Sequence, residues 1–274
     1  MKLNRIFLFF IAIFLTIIAD SCYKHEEGCQ DINAINYDVE ADKNCEDNCC
    51  KYPKVNLQFK MLYDTVEIDT NNYFTNFAGD SLRIRMLRMY LSNFVITENT
   101  GKVHNLHNEI TLGYGDDSIP EFKKTNYTSI KINEKGGVFQ IGSLDKLALY
   151  NQINFVFGID SVINHASIDK ITTSSYLHQF SDSMHINRKE GYIFLNLLVN
   201  IRDKKEKNII IYGDENLRRL SLGGLIDFRE RENHLFAVDL DLNKWLYNID
   251  FINSPDSEIK QLLLQKLNPA LTLH

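Results

Sequence analysis

From residue 55 onward, apolar and polar positions mostly alternate with a period of two, the pattern of half-buried strands rather than helices. Val55, Leu57, Phe59, Met61 and Tyr63 are separated by Asn56, Gln58, Lys60 and Leu62. Leu82, Ile84 and Met86 alternate with Arg83 and Arg85, after which Leu87, Met89 and Leu91 take the opposite phase. A slip of one residue would turn the buried face to water, so a bulge or sharp bend is predicted at Met86-Leu87. Further strands are expected over Ile193–Ile201 and Phe236–Leu242, with shorter ones at Ser129–Ile132, Asn208–Tyr212 and Arg218–Leu222. Helical spacing is clear in one place, where Ser254-Pro255-Asp256 precedes Ile259, Leu262, Leu263 and Leu267, and Asn268-Pro269 should end the run. A weaker helical turn, capped by Ser143, is read over Ser143–Tyr150. The pattern predicts an all-β fold: an antiparallel β-sandwich of two facing sheets with a short C-terminal helix.

The start of the chain follows another rule. Lys2 and Arg5 precede an unbroken apolar run from Ile6 to Ala19. At about 14 residues this run is short of the roughly 20 that a membrane-spanning helix needs, and it reads as a secretory signal over residues 1–21. Ala19-Asp20-Ser21-Cys22 resembles a loose bacterial lipoprotein box, which makes Cys22 the expected lipidation site and the new N-terminus. The expected location is therefore lipid-anchored, at the outer membrane, the cell surface or the periplasm, with the membrane as a partner through acyl chains such as palmitate.

Residues 22–54 form a second segment, acidic and poor in apolar side chains, holding Cys29, Cys45, Cys49 and Cys50. So short a piece cannot bury a core large enough to hold itself together, and in an exported chain these cysteines predict a disulfide-stapled module. Neighbours Cys49 and Cys50 are poorly placed to pair with each other, so both are expected to reach back to Cys29 and Cys45. A zinc site is the rival reading, but two separated C-x-x-C pairs are missing. Asp31, Asn36, Asp38 and Asp42 could offer oxygens to calcium, yet lack EF-hand spacing and read as a solvated loop. The turn Gly113-Tyr114-Gly115-Asp116-Asp117 reads the same way.

Charge and motifs narrow the function. With 30 Lys and Arg against 36 Asp and Glu, the net charge is −6, and no basic stripe exists for phosphates, which argues against nucleic acid. No nucleophile elbow, phosphate-cradling glycine loop or H-E-x-x-H motif appears, so no enzyme is expected. Candidate chemistry gathers in Asn154–Asn196, where two strand-like runs flank a polar segment. Met184, His185, His165 and His178 offer the sulfur and imidazole that copper(I) prefers. In the plain alternative Met184 fills the core and the histidines lie on a polar loop. Asp160 reads as a residue that orients the loop by accepting backbone N–H bonds. His104 and His107 are read as exposed strand histidines rather than a ligand pair.

Three pieces in order, RMLRMYLSNFVI (85–96), NFVFGIDSVIN (154–164) and SMHINRKEGYIFLNL (183–197), resemble the MbnP-like domain family of exported β-sandwich proteins. The segment before them is similar to a cysteine module of Bacteroidetes-type lipoproteins. The domains expected are 1–21 (signal) and 22–54 (Cys-rich module), followed by 55–274, which the resemblance implies is an MbnP-like sandwich. It also implies a copper-associated role and an exported dihaem peroxidase-like partner that oxidises a family tryptophan. Asp160, Asn164, Met184, Gly191 and Tyr192 fall on family positions, but the two family tryptophans fall on Ile186 and Arg188. The reading that results is a non-catalytic envelope lipoprotein that binds copper through its central loop. The alternative is a structural or adhesive lipoprotein that takes a protein or glycan without metal.

Overall fold

The structure is a computed structural model that describes residues 25–46, 49–68, 70–114, 121–134, 136–167, 169, 171, 173–178, 184–204 and 206–274. The signal segment 1–21, Cys22, Gly115–Asp117 and Ser183 lie outside the described residues. The chain divides into two compact units between Tyr52 and Pro53, two residues before the boundary expected from composition.

In the first unit, β1 (Glu27–Gly28) pairs in parallel with β2 (Lys43–Asn44). Disulfides join Cys29 to Cys50 and Cys45 to Cys49, so each of the adjacent cysteines does reach back to one of the earlier two. The acidic side chains fold the loop rather than collect around an ion: Asp31 accepts from the backbone N–H of Asn33 and from the Tyr52 hydroxyl, and Asp38 accepts from the N–H of Glu40. Reduction is expected to unfold this unit, since losing a disulfide from so small a module costs about 2–5 kcal/mol. The body holds the sole tryptophan, Trp245, so its fluorescence transition in denaturant should stay in place when the cysteines are reduced and alkylated. A shift of the midpoint would refute the independence of the two units.

The second unit is mostly strand. In chain order it comprises β3 (Lys54–Tyr63), β4 (Val66–Glu67), β5 (Phe74–Thr75), β6 (Ser81–Glu98), β7 (Val103–Asn105), β8 (Glu109–Tyr114), β9 (Glu121–Asn126) and β10 (Ser129–Ile132). These are followed by β11 (Gly137–Ser143), β12 (Ala148–Phe157), β13 (His185–Asn187), β14 (Gly191–Ile201), β15 (Lys207–Tyr212), β16 (Arg218–Phe228), β17 (His234–Asp241) and β18 (Leu271–Leu273). A nine-stranded sheet runs β13-β14-β6-β12-β16, with β5, β7, β10 and β15 attached beside that path, and a five-stranded sheet runs β11-β3-β17-β18 with β4 at its edge. One apolar core is shared by both sheets: Val55, Leu57 and Phe59 of β3 belong to the same buried cluster as Leu82, Leu87 and Met89 of β6.

The slip predicted in β6 is present. Leu198 faces Met86 while Val199 faces Ile84, leaving Arg85 as the extra, exposed residue of a bulge. The Gly223-Gly224 pair sits at a second bulge, opposite the break between Tyr150 and Gln152. Among the described residues the sandwich is antiparallel as expected, apart from the one pair β3 and β17, which run in parallel. Two expectations need correction. Ser143–Tyr150 is not helical; it ends β11 and begins β12, because Tyr150 finds long-range partners in Glu98 and Ile226 that outweigh a weak local preference. The C-terminal helix, α3 (Asp256–Ala270), has Pro255 rather than Ser254 at its cap position and carries Pro269 inside its last turn, so it ends one residue past the expected Asn268-Pro269 stop. Before it lie α1 (Ser161–Asn164) and α2 (Leu242–Trp245).

Candidate functional site

Strand β14 is where the central segment meets the body. Its alternate residues Ile193, Leu195 and Leu197 face the core as predicted, but Tyr192, Phe194 and Asn196 are buried too, so both faces of the strand are covered. The cover is the central segment itself, whose Ile159, Ile163, Ala166, Ile171, Leu177 and Met184 all belong to the core. Among the described residues, the segment is open to solvent along a crest where Ser161, Val162, His165, Asp169, Thr173 and Ser174 are exposed.

Beneath that crest the three motifs lock together. From β6, the Ser92 hydroxyl donates to the Gly158 carbonyl (2.6 Å), and the Gly158 N–H donates to the carbonyl of Tyr90 (2.9 Å). Asp160 caps α1, accepting from the N–H groups of Val162 and Ile163, both at 3.2 Å, which is the loop-orienting role read from sequence. Burial raises its pKa, and those two N–H bonds oppose the rise. Asn164, fully buried, accepts the Tyr192 N–H at its Oδ1 (2.8 Å) and donates through Nδ2 to Asp214 Oδ1 (2.9 Å). Gly191 explains why a glycine stands before that tyrosine: its φ is +74°, and a Cβ there would lie 2.6 Å from Asn164 Cγ. Tyr192 then donates its hydroxyl to the Leu177 carbonyl (2.8 Å) and meets Tyr90 edge to face. Burial pushes the Tyr192 phenol up, so it stays protonated.

The four proposed copper ligands are placed differently from one another. Met184 is 1% exposed and packed in the core. His165 lies on the surface, with Nδ1 at 3.1 Å from the Arg188 carbonyl and Nε2 at 3.4 Å from Asp214 Oδ2. His178 is half-buried at the end of a turn, its N–H donating to the Ser175 carbonyl. His185 lies against the edge of Tyr192, ring centroids 4.7 Å apart, with its Nε2 buried and making no hydrogen bond. Among the described residues, three His, Cys, Asp or Glu ligand atoms approach closely enough to share an ion at Cys45, Cys49 and Cys50, whose sulfurs are bound in the disulfides. His104 and His107 form no ligand pair: His107 faces Asp145, whereas His104, contrary to the expected exposure, is tucked beside Glu98 at 2.7 Å.

Asp214 is the partner that sequence reasoning missed. It opens a 3-10 turn after Gly213, 50 residues beyond Asn164, and only the turn chemistry of the Gly-Asp pair was visible in the chain.

Burial lowers the pKa of His185 and of His234, which stacks on Phe228 at 4.2 Å. The unfolded chain therefore takes up protons that the folded state resists once pH falls below the ordinary imidazole value of about 6.5. The stability these neutral rings allow is fully present above that pH and declines beneath it. Denaturant midpoints at pH 7.5 and 5.5 should show the drop, and His234→Phe should reduce it. An equal drop in the variant would remove His234 from the account.

Together these contacts define a two-sheet β-sandwich whose family-like motifs, far apart in sequence, hold a capped loop against a central strand. The MbnP family matches residues 52–261, and the chain belongs to that family. Among solved structures, MbnP from Methylosinus trichosporium aligns at 14% identity and a TM-score of 0.47, covering 71% of this chain and 78% of that one. No curated protein shows significant similarity to the chain.

Proposed function

We propose that this MbnP-family protein is a non-catalytic binding protein of the cell envelope, tethered through acyl chains on Cys22 and taking its ligand without a metal. The observation that carries the reading is the internal use of the motif side chains. Asp160, Asn164, Asp214, Ser92 and Tyr192 direct their polar groups at one another or at backbone, which makes them a scaffold and leaves none of these five poised toward a substrate. Two disulfides in the first unit agree with an exporting, oxidising compartment. No helix among the described residues is long and apolar enough to cross a membrane.

Copper(I) is the second reading, and its specific support is the unbonded, buried Nε2 of His185. A thioether held in the core and a His165 engaged with Arg188 and Asp214 leave that nitrogen short of partners. The residues present do not fit a copper centre built from Met184, His185, His165 and His178. A dihaem peroxidase-like partner stays outside the proposal for a related reason: the sole indole, Trp245, is 1% exposed and not on the central segment.

Elemental analysis of protein purified from its native envelope should find no stoichiometric metal. Copper at one equivalent, lost on His185→Ala, would overturn the metal-free reading. Mass spectrometry of the mature N-terminus should find an acylated Cys22, and an unmodified terminus elsewhere would remove the tether.

A further inference from the structure

A cleft of about 280 Å³ opens beside the central segment, walled by Asn108 and Glu109 from the entry to β8, Tyr127 ahead of β10, Gln140 of β11, and Ser175 and Tyr176 of the segment itself. We propose that this cleft binds a neutral saccharide, with Glu109 and Gln140 meeting hydroxyl groups and Tyr176 meeting the C–H face of a sugar ring. The assignment rests on the reading of the chain as a non-catalytic binding protein and supplies the ligand class.

Four features of the cleft choose among ligands. Amide, carboxylate and hydroxyl groups offer both donors and acceptors, which suits a polyol and suits a lipid tail poorly. No lysine or arginine lines it among the described residues, so a phosphate or carboxylate ligand would find no counter-charge. The one acid, Glu109, is partnered at 3.0 Å by Lys124, which quenches the attraction for a cation. A volume near the roughly 300 Å³ low end of small-molecule pockets fits one or two sugar rings.

The walls are fixed before any ligand arrives. Tyr127 donates its N–H to the Asn108 carbonyl, and the Asn108 N–H is held by the Asn126 side chain. The carbonyl of Tyr176 accepts from the Tyr90 hydroxyl, and its ring meets the edge of Phe139. The Ser175 hydroxyl accepts the Leu177 N–H, which sets the turn that carries the tyrosine. Such preorganisation lowers the ordering cost of binding. It also ties the cleft to the contacts that Tyr192 makes with Asn164 and Leu177, because Tyr90 packs on Tyr192 on the other side.

The test presents the full-length protein to an array of neutral glycans alongside sialylated and sulfated ones, with hits confirmed by isothermal titration calorimetry. Binding to a neutral glycan is expected, weakened at least tenfold by Gln140→Ala and by Tyr176→Ala. Arg219→Ala, in a separate cleft lined by Val95, Val103 and Val156, should leave it unchanged. Glu109→Gln keeps shape and serves as the fold-neutral variant at the site, with a weaker loss. Binding to no neutral glycan, preference for the anionic ones, or indifference to Gln140→Ala and Glu109→Gln would each overturn the assignment. Cleavage of a bound glycan would instead overturn the non-catalytic reading while leaving the site in place.

Discussion

Replacing Gly191 with alanine is expected to destabilise the body by about 2–5 kcal/mol, combining a left-handed backbone that costs an L-residue about 1–2 kcal/mol with an overpacked contact that costs about 1–3. The residue sits at φ +74°, and an added Cβ would lie 2.6 Å from both Asn164 Cγ and Asn164 Nδ2. Asn164 cannot retreat: its two ends are tied to the Tyr192 N–H and to Asp214. Asn164→Ala should itself cost about 1–3 kcal/mol, because it strands a buried N–H and an acceptor. In the double variant the steric part of the first change disappears, since the amide that the Cβ meets is gone. The two losses should therefore sum to at least about 1 kcal/mol more than the loss in the double variant. Equilibrium denaturation followed by Trp245 fluorescence reads all four corners of the cycle, and additivity within about 0.5 kcal/mol would show that Gly191 is not held by Asn164.

That pair also shows what a single sequence can and cannot reveal. The strands were legible because burial on one face imposes a period of two: Val55, Leu57, Phe59 and Met61 of β3 are all buried, with half-buried polar residues between. The bulge at Arg85 was legible for the same reason, since a phase slip has few other physical solutions. The cap made by Asp160 is local, two and three residues from its donors, and local chemistry can be read along the chain. Asn164 and Asp214 meet across 50 residues, and no periodicity encodes such a meeting. The central segment misled for a related reason. Its polar composition suggests a solvent-facing loop, yet single apolar residues such as Ile171 and Leu177, with no period to announce them, are buried in the core. His185 is the residue where the two readings meet, half covered by Tyr192 and placed there by the same burial.

Trp245→Ala is expected to cost about 3–5 kcal/mol, the range for truncating a large buried aromatic whose surroundings cannot close the gap. The ring stands on α2, just after β17, and is 1% exposed. Its Nε1 donates to the Leu263 carbonyl of α3 at 3.0 Å, so it joins the end of the five-stranded sheet to the long C-terminal helix. Ile259, Leu263 and Leu267 form the buried stripe of that helix, and a cavity at Trp245 would open beside it. Trp245→Phe keeps most of the ring volume and gives up the N–H bond, so its loss should be smaller by about 2 kcal/mol or more. Circular dichroism in denaturant reads both variants without the fluorophore. The same burial makes a chemical prediction. In the native protein N-bromosuccinimide should leave Trp245 unmodified, and the indole should react as soon as denaturant unfolds the body. An indole that reacts equally fast in both states would refute the packing of α2 on α3.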